Sequence, residues 1–298
     1  MIDDLVEKIK ERKPKRVFIQ LPEGLITKSQ ELEDLLNKKG IESFVSLEPC
    51  YGACDLRDCE AERLNCDLLV NVGHSDFDVK SKVPVLYYEW KIKFDPVPIL
   101  EKKLEVLEDF KSIGLVSSIN FLDSLNSAKK YLESMGKKCL IGGQILGCDV
   151  HNALKIEGKV DCFFYVGSGI FHPLGLDLKA SKPVLFLDKE KKTLSIVNSE
   201  KFERQKYAAQ ARMKNAKKFG ILVSTKPGQC HLQGAIEMKK RLESKGYNAW
   251  IFTMDTITPE KLLGLDLDCY INYACPRIAI ENRTQFEKPI LNPEEIEI

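Results

Sequence analysis

No charge of either sign dominates this chain. Forty-five Lys and Arg residues stand against 44 Asp and Glu, a formal net charge of +1, which exerts no overall pull toward nucleic acid or an anionic membrane. No apolar run approaches the roughly 20 residues of a membrane span. The N-terminus, MIDDLVEKIKERKPK, is charged throughout and lacks the apolar core of a secretory signal. Low-complexity tracts and long Pro- or Ser-rich linkers are absent, as are the paired C-x2-C knuckles of structural zinc sites. These absences make a soluble, cytoplasmic protein the expectation, with no direct nucleic-acid partner and no membrane. They also bear on the ten cysteines: without an export signal, metal ligation, redox chemistry or plain burial are better readings than disulfides.

What is present is repetition. Apolar strand-like runs open near Val17, Leu115 and Ile221, at offsets of 98 and 106 residues. A second family begins at Asp67, Asp161 and Asp268, offset by 94 and 107, and a third at Pro84, Pro183 and Pro289, offset by 99 and 106. Three landmarks in register predict three copies of one plan, 1–98, 99–198 and 199–298. Each copy opens with an amphipathic helix pattern, at 2–12, 99–111 and about 199–217, and carries a second one ending in Gly40, Gly136 or Gly246. Continuously apolar strands alternating with helices predict an α/β chain of three Rossmann-like repeats, each a four-stranded parallel sheet covered on both faces.

Ligands gather at the carboxyl ends of strands in such sheets. Cys54 in GACD and Cys148 in LGCD are equivalent, each following the second strand of its copy. The equivalent position in the third copy is Asp255, and that copy instead carries Cys275 after its third strand, where the others have His74 and Ser168. If the repeats pack around a pseudo-threefold axis with these ends inward, three thiolates can converge, a set suited to three irons of a 4Fe-4S cluster with the fourth iron open. The stretch LEPCYGACDLRDC, 47–59, holds Cys50, Cys54 and Cys59 in C-x3-C-x4-C spacing, so a self-contained metal loop is the alternative. Cys59 reads as a helix-face residue, and Cys66, Cys162 and Cys269 as buried small residues. Cys139 lies in a strand and Cys230 near a helix start, neither with an identifiable partner.

The loops YGACD, GGQILGCDV and YACPRIAI, one per repeat and in this order, resemble those of the archaeal-type radical enzyme family of the first step of diphthamide biosynthesis. The resemblance covers essentially the whole chain, with no departure in the three loops. It implies a homodimer that binds a 4Fe-4S cluster through Cys54, Cys148 and Cys275 and uses S-adenosylmethionine as cosubstrate. It further implies release of a 3-amino-3-carboxypropyl radical and its transfer to carbon 2 of a histidine of translation elongation factor 2, with electrons from a donor the sequence does not identify. No strong general base is required by that chemistry, and no catalytic residue is assigned.

Turns after strands could present backbone N–H groups to the amino acid carboxylate: Gln20, Glu23 and Gly24 in QLPEG, Ser168 and Gly169 in GSG, Gly228 and Gln229 in TKPGQ. Arg277 could pair with the same carboxylate. Each of these has a bland alternative, a tight βα turn or a surface arginine, and His74 and His172 read as structural histidines. Two other functions fit the same residues. One is a quinolinate-synthase-like enzyme, whose open iron acts as a Lewis acid without S-adenosylmethionine. The other is a non-catalytic metal-binding scaffold subunit.

Overall fold

Three strand sets form where the repeat predicts them. In the computed structural model, which describes residues 1–297, β1 (Arg16–Gln20), β2 (Glu42–Val45), β3 (Leu68–Val72) and β4 (Val85–Tyr88) make a parallel sheet in the order β2-β1-β3-β4. The second sheet contains β5 (Ser112–Ser117), β6 (Lys138–Gln144), β7 (Cys162–Gly167), β8 (Val184–Asp188) and β9 (Thr193–Ile196), in the order β6-β5-β7-β8-β9. The third is β11-β10-β12-β13, from β10 (Lys218–Ser224), β11 (Asn248–Met254), β12 (Cys269–Tyr273) and β13 (Ile290–Leu291).

Two corrections to the expected plan follow. The second sheet has five strands, because β9 pairs antiparallel with β8 across a turn in which Lys192 takes a positive φ of 53°. The predicted helix over 99–111 is broken into Val97–Lys102 and a 3-10 turn, Leu104–Leu107, because Lys103 between them leaves helical geometry at φ −135°.

The landmark residues earn their recurrence by bonding. Asp67 accepts the backbone N–H groups of Lys15 and Arg16, Asp161 those of Lys111 and Ser112, and Asp268 those of Lys217 and Lys218. One carboxylate thus staples the entry of the first strand to the entry of the third in every repeat. The prolines sit at the mouths of β4, β8 and β13, where a missing N–H costs no ladder bond and the carbonyls accept from Leu69, Phe163 and Tyr270. The second helices, Ser29–Lys38, Ser124–Ser134 and Leu232–Ser244, stop at Gly40, Gly136 and Gly246 with φ between 74° and 83°. That left-handed backbone lets Ile41, Lys137 and Tyr247 bond back to Leu36, Leu132 and Leu242.

Those staples predict an acid response. All three carboxyls lie below their ordinary value of 3.8: burial opposes ionisation of Asp67 but is outweighed by the backbone donors, while the donors lead for Asp161 and Asp268. A depressed folded pKa contributes stability that is complete above 3.8 and is lost as pH falls through the folded values. Urea midpoints followed by circular dichroism should therefore fall steeply below pH ~4. Asn at all three positions should lower the neutral-pH midpoint and flatten that slope; an unchanged slope would refute the assignment.

By its internal packing the chain divides into two units, residues 1–92 with 226–228, and residues 93–225 with 229–298. In the first, Val17, Ile19 and Val70 face Leu5, Ile9, Leu32 and Leu36 of the helices Ile2–Glu11 and Ser29–Lys38, while Phe18 and Leu69 point to the other face with Leu56, Ala61 and Val83. In the second, β5 and β7 split likewise between a core with Ile113, Leu115 and Phe164 and one with Val116, Phe163 and Tyr165. Both faces of each sheet are thus covered, at about 1.5–3 kcal/mol per fully buried large apolar side chain, and the carboxyl ends of the strands are left to the loops.

Candidate metal and cofactor site

The loop after β2 is held from within by polar side chains that the apolar strands carry inward. Gln20, fully buried at the end of β1, donates through Nε2 to the Asp55 carbonyl (2.9 Å) and accepts the Arg57 N–H through Oε1 (3.0 Å). Asn71, also fully buried, donates from Nδ2 to the Gly52 carbonyl and to Cys50 Sγ, both at 3.5 Å, while its Oδ1 lies 2.7 Å from His74 Nδ1. Cys50 is a strut: buried, hydrogen-bonded to the Gly52 and Asp55 carbonyls, its thiol pushed up to about 12 by burial first and then by Asp55. Burial also takes His74 down to about 4, so it is a neutral structural imidazole. Cys59 lies exposed on the helix Asp58–Arg63. Cys54, partly buried and outside any disulfide, lies between these two on the same loop.

A segment far along the chain completes this loop. Gly228 donates its N–H to the Cys54 carbonyl at 3.0 Å, and a Cβ on Gly228 would come within 2.5 Å of Cys54 Cα. The TKPGQ turn therefore grips the cysteine loop, and the Gly228 N–H expected to face a cofactor is spent on Cys54. Gln20 is spent on the same loop. Glu23 and Gly24 are exposed at the start of the 3-10 turn Glu23–Lys28, and Gln229 is buried.

In the second unit, Cys148 sits exposed on a tight turn in which Leu146 and Asp149 exchange both backbone hydrogen bonds (2.7 and 3.1 Å). His172 Nδ1 accepts the Gly147 N–H at 2.9 Å, Lys179 donates to the Cys148 carbonyl at 3.1 Å, and Gly175 packs so closely on Gly147 that a Cβ there would meet its carbonyl oxygen at 2.2 Å. Cys275, partly buried, follows β12. Asn272, 2% exposed, donates to its carbonyl at 2.8 Å and to Asn292 Oδ1 at 2.8 Å. Asn272 stands four residues after Asp268, as Asn71 stands four after Asp67, so two cysteine loops are braced by the same device. Both asparagines escape a sequence reading, although a polar residue inside an apolar strand is the signal, because buried amides must be bonded.

Arg277 is ion-paired with Glu281, and its guanidinium lies 5.1 Å from the Phe171 ring centroid. Phe171 opens the helix Phe171–Asp177 that carries His172 and Gly175, so the Cys275 loop meets the helix that braces the Cys148 turn. Gly169, just before that helix, is exposed with φ +74°, next to a partly buried Ser168. Cys66, Cys139, Cys162 and Cys269 are buried and Cys230 is exposed; burial pushes Cys162 and Cys269 up to about 12 and Cys139 up to about 11. Among the described residues, neither unit by itself gathers three His, Cys, Asp or Glu side chains that could hold a metal ion.

Fold and loops together define an α/β repeat protein with one cysteine per repeat on a braced loop at strand carboxyl ends. The profile of the diphthamide synthesis protein family matches residues 21–298. The 2-(3-amino-3-carboxypropyl)histidine synthase of Pyrococcus horikoshii is 35% identical over 99% of this chain and 88% of its own, and that of Methanocaldococcus jannaschii 31% identical over 98% and 86%. Subunit 1 of the human enzyme is 28% identical over 99% of this chain and 70% of its own. The crystal structure of Dph2 from Pyrococcus horikoshii with a 4Fe-4S cluster superposes with a TM-score of 0.90, at 34% identity, over 99% of this chain and 88% of that one. The chain belongs to the diphthamide synthesis family and is a transferase. Among the described residues no helix is long and apolar enough to cross a membrane.

Proposed function

We propose that this protein carries out the first step of diphthamide biosynthesis, moving a 3-amino-3-carboxypropyl group from S-adenosylmethionine to carbon 2 of a histidine of translation elongation factor 2. The observation that carries the reading is the one cysteine per repeat at a strand carboxyl end, outside any disulfide and on a loop fixed by buried or interlocked polar groups. Thiolates are the ligands that iron–sulfur clusters take, and the loops meet the need to hold such ligands rigidly. Cys54, Cys148 and Cys275 would hold a 4Fe-4S cluster, which requires the three repeats to converge about a pseudo-threefold axis. When bound, the cluster supplies the electron that breaks a carbon–sulfur bond of the cosubstrate.

The chain's own groups bind and orient. Arg277 has five donors and uses only some of them on Glu281, which leaves capacity for the amino acid carboxylate. Ser168 and Gly169, beside the helix that Arg277 contacts, offer backbone N–H groups to the same end, and Glu23, Gly24 and Gln229 lie on the corresponding turns of the other repeats. His74 and His172 are occupied by Asn71 and Gly147, in keeping with a reaction that asks no general base of the enzyme. The acting form would be a cytoplasmic homodimer fed by an external electron donor.

The test is anaerobic reconstitution with iron and sulfide, then incubation with S-adenosylmethionine, dithionite and elongation factor 2. Peptide mass spectrometry should find the added group on one histidine, dependent on both the metal and S-adenosylmethionine. Metal-dependent condensation of small substrates without S-adenosylmethionine would instead support the quinolinate-synthase-like reading.

A further inference from the structure

The ion pair between Lys226 and Asp55 is the feature this reading leaves unused. Lys226 Nζ lies 2.7 Å from Asp55 Oδ2, and the two side chains are 5% and 1% exposed. They stand 171 residues apart in sequence, yet Asp55 directly follows Cys54 and Lys226 comes two residues before Gly228, whose N–H holds the Cys54 carbonyl. The same Asp55 oxygen accepts the Tyr51 N–H at 3.2 Å, and the Tyr51 ring lies over the Lys226 ammonium, 5.1 Å to its centroid. Asp55 Oδ1 is buried with no hydrogen-bond partner. A buried pair is a poor source of net stability, since desolvation of both charges consumes most of the attraction. Breaking it from one side, however, strands a charge beside the cysteine.

We infer that Lys226 and Asp55 are positioning residues for Cys54: the pair locks the Cys54 loop to the 226–228 segment and keeps the ground beside this thiolate electrically neutral. The inference rests on the proposed role of Cys54 as a cluster ligand. Its second half has a consequence that packing alone lacks. Reduction adds negative charge to a thiolate-bound cluster, and nearby charge is one of the determinants of its potential. Removing Lys226 leaves a carboxylate that opposes reduction, whereas neutralising Asp55 leaves an ammonium that favours it.

The experiment compares Lys226→Met, Asp55→Asn, the double variant and Lys226→Arg in the full chain. In metal-free protein, amide hydrogen exchange in a peptide spanning 47–57 should speed up about tenfold in Lys226→Met, stay unchanged around 138–150, and recover substantially in Lys226→Arg. After reconstitution, the midpoint potential should move negative in Lys226→Met and positive in Asp55→Asn, with the double variant back near wild type. Unchanged exchange at 47–57 overturns the lock. Single variants that shift in the same direction, or not at all, overturn the electrostatic half. The double variant and Lys226→Arg guard against a single variant that fails to fold, since neither strands a buried charge. If no form, wild type included, takes up iron, the cluster reading fails and the exchange result still decides the lock.

Discussion

Alanine at Cys54, Cys148 or Cys275 is expected to bring iron content after anaerobic reconstitution close to background, while Cys59→Ala and Cys139→Ala retain it. The contrast follows from where the thiols sit. The first three lie on loops after strands, their backbones held by Gly228, Lys179 and Asn272, so little chain ordering remains to be done on binding. Even second-layer partners of a metal are worth about 10–100-fold in affinity, and a direct ligand should exceed that. Cys59 is a solvent-facing helix residue and Cys139 packs in the second sheet's core, where truncation to alanine costs stability of about 1 kcal/mol and no ligand. Cys50→Ala is the demanding control: it should lower thermal stability, because Asn71 loses a partner, without abolishing iron binding. Iron assay and visible absorption read the outcome. A variant set in which Cys50 and Cys59 are needed and Cys275 is dispensable would return the site to 47–59 alone.

Incubating the reconstituted, reduced protein with S-adenosylmethionine should yield 5'-deoxy-5'-methylthioadenosine as the dominant nucleoside, with 5'-deoxyadenosine in trace. Three carbon–sulfur bonds meet at the sulfonium, and the one that breaks is set by which carbon is positioned for the electron. The proposed grip is on the amino acid end, through Arg277 and the Ser168–Gly169 turn, and both belong to structure already fixed by the Phe171 contact. Anchoring that end favours rupture on the side of the 3-amino-3-carboxypropyl group. Arg277→Ala should weaken the apparent affinity for S-adenosylmethionine by about tenfold or more, the value of a charge-assisted pair, and should raise the share of wrong-bond products. Chromatography of the nucleosides decides the matter. Predominant 5'-deoxyadenosine from the wild type would sink the mechanism even with the cluster confirmed.

Much of this architecture could be read from residue order. Asp67, Asp161 and Asp268 recur because each must staple two strand entries, and Gly40, Gly136 and Gly246 because each helix must stop in left-handed backbone. Such demands are local, and they fall on residue types that few others can replace. The extra strand β9 was not legible, since an exposed edge strand with one buried side chain, Leu194, leaves a weak pattern. Spacing could not separate Cys50 from Cys54 either. Their difference lies in Asn71 and Asp55 surrounding one sulfur and Gly228 reaching the backbone of the other.

The sequence by itself determined the threefold repetition, the parallel α/β sheets and the placement of one cysteine at a strand end in each copy, because hydrophobic period and turn chemistry are written within a few residues. Only the tertiary structure decided how those cysteines are held. Lys226 finds Asp55 across 171 residues, and Asn71, Asn272 and His172 bond to Gly52, Asn292 and Gly147 across 19, 20 and 25 residues. A buried polar group must be bonded, but the partner that bonds it is chosen by where the chain returns, and no local pattern carries that information.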